Sequence, residues 1–170
     1  MILETCIDDT AALLALYRDV FPDEDLRPLV AALLALDRGC LSLVALESGT
    51  PVAHIAFTRC GTTPGESTGA LLGPLAVAPG HQRQGRGTAI LKSGLDLLAE
   101  QGVRQIFVLG DPGYYGRFGF RPETAVATPL PIPEDWASAW RSLTLAGRAP
   151  LPPGTLIVPK PWMDPALWAP

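Results

Sequence analysis

Cysteine is scarce in this chain, and the spacing of the few cysteines predicts no catalytic or metal-binding role for them. The 170 residues include three cysteines, Cys6, Cys40 and Cys60, which are odd in number, widely spaced and without the spacing of metal ligands. We interpret them as inert thiols in the core or near the surface. The sequence therefore predicts no metal site.

Long apolar runs and an excess of basic residues are also missing. No run is long enough to cross a bilayer, and residues 1–6 are too short and too mixed for a signal peptide, so we expect a cytoplasmic protein with no membrane partner. Lysine and arginine number 13 against 17 aspartates and glutamates, which gives a formal net charge of −4. Because binding to phosphates requires a concentrated basic surface, we predict no nucleic-acid partner.

Apolar side chains and proline are plentiful, at 48% of the chain and 18 residues respectively. A chain of this length and apolar content suits one large core, so residues 1–170 are predicted to form a single domain. Many of the prolines follow Phe120 and set a proline-rich C-terminal part, residues 121–170, apart from the rest.

Local signals outline an order of mixed helices and strands. We predict a strand at residues 2–7, a helix from Asp8-Asp9-Thr10 to about Val20, and a second helix from residues 23–25 to Gly39. Further along the chain, we predict a hairpin over residues 41–60, a strand at residues 104–109, and a short helix capped by Asp111. The four tryptophans are interpreted as packing anchors.

One stretch, residues 71–98, organises the middle of the chain. It reads as a buried strand, a short polar turn and an amphipathic helix. The first turn of a helix leaves N–H groups unpaired and carries partial positive charge, which favours an anion. Gly85 and Gly87 lack Cβ atoms and let a diphosphate approach the main chain, and Arg83 and Arg86 add positive charge. The turn is therefore predicted to bind phosphate.

Two common glycine motifs do not fit this turn. Gly-x-Gly-x-x-Gly would need glycine at Ile90, and a Walker loop would need glycine at Leu91, before Lys92. The residues present instead match the signature Q/R-x-x-G-x-G/A, as Gln82-Arg83-Gln84-Gly85-Arg86-Gly87. In this motif the chain resembles the GNAT superfamily of acyl-CoA-dependent N-acyltransferases.

A second motif strengthens the resemblance. Residues 114–120, Tyr-Tyr-Gly-Arg-Phe-Gly-Phe, resemble the aromatic-Tyr-x-x-x-Gly-Phe block that closes the acetyl-CoA site in many GNAT enzymes. The resemblance covers residues 44–120 and implies the GNAT fold, of α/β (α+β) class. Such a fold has a mixed central sheet of about six to seven strands, splayed near the cofactor and flanked by about four helices. Residues 121–170 would then complete the acceptor side.

The resemblance implies acetyl-CoA as the cosubstrate. Pro74 interrupts its strand, because proline cannot donate to a sheet ladder. GNAT proteins use backbone groups freed in this way, here those of Leu75 and Val77, to hold the amides of pantetheine. The predicted cofactor-binding residues are Leu75, Ala76, Val77, Gln82, Arg83, Gln84, Gly85, Arg86, Gly87, Thr88 and Tyr115.

The resemblance also implies direct attack of an amine on the thioester, helped by positioning and by a backbone donor to the oxyanion. Tyr115 is the family-matched general acid for the departing thiolate, since a phenol with a pKa of about 10 stays protonated at neutral pH. The base is open between His54, Glu66, Asp111 and an ordered water, with His54 favoured because imidazole titrates near neutral pH. The competing interpretation of His54 is a hydrogen-bonded histidine within the sheet, and that of Asp111 is a helix cap.

The predicted function is an N-acetyltransferase that transfers acetyl from acetyl-CoA to a primary amine of a small molecule or peptide. The alternative is a non-catalytic acyl-CoA-binding sensor or interaction module. Modification of aminoacyl-tRNA is disfavoured by the acidic balance. Exposed sheet edges, which are common in this fold, make a homodimer a further expectation.

Overall fold

The computed structural model describes residues 1–169, and the chain divides into two compact units. Unit 1 comprises Met1–Thr58 and Gly73–Leu98, and unit 2 comprises Arg59–Leu72 and the chain from Ala99 onward. The expectation that residues 1–170 form a single domain stays a prediction.

Four α-helices and nine strands are present in the described residues. The helices are α1 Thr10–Val20, α2 Arg27–Leu34, α3 Arg86–Glu100 and α4 Pro112–Gly116. The strands are β1 Ile2–Glu4, β2 Cys40–Glu47, β3 Thr50–Cys60, β4 Gly69–Val77, β5 Gln105–Leu109, β6 Arg121–Pro122, β7 Val126–Ala127, β8 Trp140–Thr144 and β9 Gly154–Thr155. Seven strands form one mixed sheet in the order β1-β2-β3-β4-β5-β8-β6, while β7 and β9 form a separate parallel pair. The predicted mixed sheet of six to seven strands is confirmed.

In unit 1, a hairpin and two helices form the core. β2 and β3 pair antiparallel across a turn in which Ser48 and Gly49 both have positive φ, of 52° and 80°. This is the backbone that a two-residue hairpin turn requires. A buried apolar cluster then joins α1, α2, β2 and β4 through Leu13, Leu16, Tyr17, Val30, Val44 and Ala76.

Two predicted boundaries in unit 1 were wrong. The first strand ends at Glu4 because Ile7–Asp9 forms a 3-10 turn, in which the Asp9 carboxylate accepts the N–H of Cys6 at 2.7 Å. The second helix begins at Arg27 and ends at Leu34, short of Gly39. Its start lies later than predicted because the Asp25 carboxylate accepts from both the N–H and the guanidinium of Arg27.

In unit 2, strand pairing changes direction around β5. β4 runs parallel to β5 through Gly69, Ala70 and Leu71, and β5 pairs antiparallel with β8. The recorded β4–β5 pairs end before Gly73-Pro74, as the interrupted ladder at Pro74 predicts. Three tryptophans pack at ring distances near 6 Å or less: Trp140 stacks on Phe107 at 5.7 Å, and Trp168 meets Trp140 at 5.9 Å and Trp162 at 6.0 Å. The predicted role as packing anchors is confirmed for these three tryptophans, while for the half-buried Trp136 it stays a prediction.

Among residues 1–169, every helix is too short or too polar to cross a bilayer.

Candidate active site

The turn predicted to bind phosphate is held in shape by its own side chains. It lies in unit 1 as the α3 entry loop, residues 78–85. The Gln82 amide donates to the carbonyl of Val77 at 3.1 Å, and the Gln84 amide donates to that of Gly80 at 3.4 Å. The N–H of Ala78 also donates to the carbonyl of Val52 at 2.8 Å, which attaches the start of the loop to β3. These hydrogen bonds fix the conformation of the loop that precedes α3.

Gly85 is the point at which this loop enters the helix. Its φ is +75°, a value that favours glycine, and apart from its two chain neighbours no atom of the described chain lies within 4 Å of the place a Cβ would take. α3 begins at the next residue, so the N–H groups of its first turn, including those of Gly87 and Thr88, belong to a helix N-terminus. Open space beside such amides fits a diphosphate. Contact between these residues and coenzyme A stays a prediction.

One acidic residue near this loop was missed by the sequence analysis. The Glu47 carboxylate, at the end of β2, lies 2.6 Å from Nε2 of His81 and 3.1 Å from the Arg86 guanidinium. Arg86 is thus ion-paired with a carboxylate of the hairpin. No local signal could have found this pair, because Glu47 and Arg86 are distant in the sequence.

The strand residues predicted to hold pantetheine alternate in burial. Ala76 is buried in the core cluster of unit 1, while Leu75 and Val77 are half-buried. The carbonyl of Val77 accepts the Gln82 amide, so this one backbone group has a partner within the protein. A contact of Leu75, Ala76 or Val77 with the cofactor stays a prediction.

His54 lies in the interior of unit 1, with both ring nitrogens engaged. Nδ1 is 2.7 Å from the Tyr17 hydroxyl, Nε2 is 2.7 Å from the Ser42 hydroxyl, and 1% of the residue is exposed. Burial lowers the pKa of His54 to about 3, since desolvation penalises the imidazolium. Its role as acceptor-side base stays a prediction, and these contacts weigh against it in favour of the hydrogen-bonded sheet histidine.

Tyr115, in unit 2, is enclosed by the segment that carries it. Asp111 caps α4 by accepting the N–H of Gly113 at 3.0 Å, and the N–H of Tyr115 donates to the carbonyl of Asp111 at 3.0 Å. The Tyr115 ring packs edge-on against Tyr114 and Phe120, with centroids 5.0 and 5.7 Å away. Burial, and then the nearby Tyr114 and Asp111, raise the pKa of Tyr115 above its ordinary value. The phenol therefore keeps its proton at neutral pH.

The other two candidate bases occupy ordinary structural positions. The Asp111 cap on α4 matches the prediction, and it occupies one carboxylate oxygen. Glu66 lies exposed in the loop between β3 and β4, where its N–H donates to the carbonyl of Thr63 at 3.1 Å. Among the described residues, no group of three or more His, Cys, Asp or Glu side chains could hold a metal ion.

Comparison with known proteins defines the class. A family model described as the acetyltransferase (GNAT) family matches residues 10–120, which is more than half of the chain. The chain therefore belongs to the GNAT family; it is an acyl-CoA-dependent acetyltransferase, and acetyl-CoA is its cosubstrate.

Particular relatives extend the match beyond the family model. An Escherichia coli K12 protein, uncharacterized N-acetyltransferase YjhQ, is 39% identical over 128 residues, which cover 71% of this chain and 70% of that protein. The E. coli N-acetyltransferase YhbS, solved in complex with CoA, covers 96% of this chain and 92% of its own, at 27% identity and a TM-score of 0.84. A Brucella melitensis GNAT acetyltransferase, solved with acetyl-CoA, covers 95% and 96%, at 28% identity and a TM-score of 0.77. The predicted GNAT fold is confirmed.

Proposed function

We propose that the protein transfers the acetyl group of acetyl-CoA to a primary amine by direct attack, with Tyr115 as the acid that protonates the departing thiolate. The observation that carries this proposal is the state of the Tyr115 phenol. The Tyr115 side chain is half-buried against aromatic rings, and burial raises the pKa of the phenol above its ordinary value. A phenol that stays protonated at neutral pH can donate when negative charge develops on sulfur.

In the proposed reaction, the amine nitrogen forms a bond to the thioester carbonyl carbon and the carbon–sulfur bond breaks. The bonding electron pair leaves with sulfur, which takes the Tyr115 proton. Most of the acceleration would come from holding the reactants together and from donors aimed at the developing oxyanion. We assign the oxyanion donor to a backbone N–H of Leu75 or Val77.

The amine must also lose a proton, and we assign this step to water. Both nitrogens of His54 are already bonded to hydroxyls, and the pKa of His54 is lowered to about 3. Asp111 is used as a helix cap, and Glu66 lies in an exposed loop. These positions support a water molecule as the acceptor of the proton, and they disfavour the three side chains.

The cofactor half of the proposal concerns the α3 entry loop. The open space at Gly85, the first-turn amides of α3 and the exposed Arg83 support binding of the coenzyme A diphosphate there. Small-molecule and peptide amines both remain acceptor classes in this proposal.

Replacement of Tyr115 by phenylalanine tests the acid role. Tyr115→Phe keeps the ring and removes the acidic proton, so we expect kcat to fall by about 100-fold with little change in acetyl-CoA affinity. Free thiol release from acetyl-CoA with pooled primary amines measures turnover, and calorimetry measures affinity. Tyr114→Phe keeps the neighbouring ring and removes the same kind of hydroxyl; it is the matched control and should lose far less turnover than Tyr115→Phe.

Two results would count against the proposal. Native turnover in Tyr115→Phe would remove the acid role. Tight acetyl-CoA binding by the native protein without thiol release from any amine pool would instead favour the non-catalytic sensor.

A further inference from the structure

Gly110, the residue that follows β5, has no room for a side chain. Its φ lies outside the positive range, so an alanine could adopt the same backbone. A Cβ at this position would overlap Cε2 of the Tyr115 ring, and would lie 2.9 Å from Cδ2 and 3.4 Å from Cζ. Carbon atoms in good contact are about 3.5–4.0 Å apart. The Tyr115 ring thus occupies the volume of the missing side chain.

The backbone beneath the ring is held on both sides. The N–H of Gly110 donates to the carbonyl of Ala139 at 3.0 Å. On the other side, the Asp111 cap and the bond from the N–H of Tyr115 to the carbonyl of Asp111 fix the first turn of α4. Neither Gly110 nor the Tyr115 backbone can move away without breaking one of these bonds, so an added methyl group would displace the ring.

Two further aromatic rings pack against the Tyr115 ring. Tyr114 and Phe120 lie edge-on to it at 5.0 and 5.7 Å. Gly110, Tyr114 and Phe120 thus restrict the positions that the half-buried Tyr115 ring can take.

We propose that Gly110 is a positioning residue for acetyl transfer: its bare Cα is the surface that fixes where the Tyr115 hydroxyl points. This inference rests on the proposed acid role of Tyr115. In this inference, Gly110 acts through the Tyr115 ring and not directly on a reacting atom. Because a displacement of about 1 Å in a catalytic group can cost about 100-fold in rate, one methyl group at residue 110 should disable the acid.

The kinetic test is a double-mutant cycle. Gly110→Ala should lower kcat about as far as Tyr115→Phe does, by about 100-fold, while the KM for acetyl-CoA changes less than about twofold. In the Tyr115→Phe background, Gly110→Ala should cause no further loss of kcat, because the hydroxyl that the added methyl group would displace is already absent. Gly113→Ala is the matched control, since among the described residues a Cβ there would meet only the Asp111 carboxylate, at 3.5 Å, an ordinary contact.

A thermal cycle tests the geometry apart from catalysis and also covers poor folding of Gly110→Ala. In the native background, Gly110→Ala should lower the melting temperature by about 2–10 °C. In the Tyr115→Ala background, the ring is absent and the same substitution should leave the melting temperature unchanged or slightly raised.

The outcomes separate the two claims. Native kcat in Gly110→Ala together with a large loss in Tyr115→Phe would overturn the inference and leave the acid role standing. A further fall of kcat on adding Gly110→Ala to Tyr115→Phe would also overturn it, since Gly110 would then act through something other than the phenol. Native kcat in Tyr115→Phe would overturn the acid role, and the inference with it.

Discussion

At the residue scale, His54 shows how burial sets the charge of one side chain. The pKa of His54 in the folded protein is about 3, against about 6.5 in an unfolded chain. Below pH 6.5 the unfolded chain binds a proton that the folded protein does not, so this group's contribution to stability is lost as pH falls from 6.5 toward 3. We expect it to lower the free energy of unfolding by about 2 kcal/mol between pH 7 and pH 5, measured by urea unfolding.

Two variants isolate this effect. His54→Gln removes the titrating ring, so its free energy of unfolding should change less between pH 7 and pH 5 than that of the native protein. Tyr17→Phe removes the hydroxyl that is hydrogen-bonded to Nδ1 of His54 and leaves the imidazole buried. This variant should be less stable than the native protein at both pH values and should keep the native pH dependence of stability. An unchanged pH dependence in His54→Gln would contradict the explanation.

Residue roles could be predicted where the partners are close in sequence. The Asp111 cap is an example, because the carboxylate and the N–H that it accepts are two residues apart. The partners of His54 are 37 and 12 residues away, on α1 and β2. The choice between a base and a structural histidine therefore depended on packing that the sequence does not display.

At the scale of the element, α3 packs closely on the sheet because Gly94 lacks a side chain. A Cβ at Gly94 would overlap the Phe57 ring of β3, lying 2.6 Å from Cζ and 3.3 Å from Cδ2. Alanine in place of glycine favours a helix by about 1 kcal/mol, whereas overpacking a core costs about 1–3 kcal/mol. The cost of the overlap should exceed the gain in helix propensity, so we expect Gly94→Ala to destabilise the protein by up to about 2 kcal/mol in urea unfolding.

A neighbouring position supplies the comparison. Ser93 is half-buried on the same helix, and Ser93→Ala should be neutral or slightly stabilising because alanine has the higher helix propensity. If Gly94→Ala were as stable as Ser93→Ala, the contact with Phe57 would not limit the distance between helix and sheet.

Element boundaries were predictable where periodicity and a stop residue agree. α3 ends at Glu100, close to the end of its amphipathic pattern, and Gly102 follows with φ of +80°, a glycine position typical of a helix C-terminus. The end of α2 could not be read in this way. The apolar stripe continues to Leu36, but the helix ends at Leu34 and the chain then turns through Gly39, with φ of +87°, into β2.

At the scale of the whole molecule, two short motifs were enough to predict the family and the mixed sheet. Each motif reflects a local feature of the backbone. The first contains the glycine at which the chain enters α3, and the second contains the aromatic turn that ends at Phe120. The part after Phe120 was less predictable. Its strands β6, β7 and β9 have two residues each, too few for a periodic pattern.

Binding of acetyl-CoA should stabilise the whole folded chain, because the unfolded chain has no site for it. At a concentration of about 100 times Kd, the gain is about 2.7 kcal/mol, which corresponds to a rise in melting temperature of about 5–10 °C for a chain of this size. Gly85→Asp should abolish this rise, since it places bulk and negative charge in the open space beside the first turn of α3. The rise is measured by thermal unfolding with and without acetyl-CoA.

The control for this variant must carry the same backbone strain and the same charge. Gly147 has the same φ of +75°, and likewise no atom of residues 1–169 beyond its two chain neighbours lies within 4 Å of its Cβ position. Gly147→Asp should therefore lose intrinsic stability much as Gly85→Asp does, yet keep the full rise with acetyl-CoA. A full rise in Gly85→Asp would show that the diphosphate binds elsewhere, and loss of the rise in both variants would trace the effect to general destabilisation. Only loss confined to Gly85→Asp assigns the diphosphate to the amides at the start of α3.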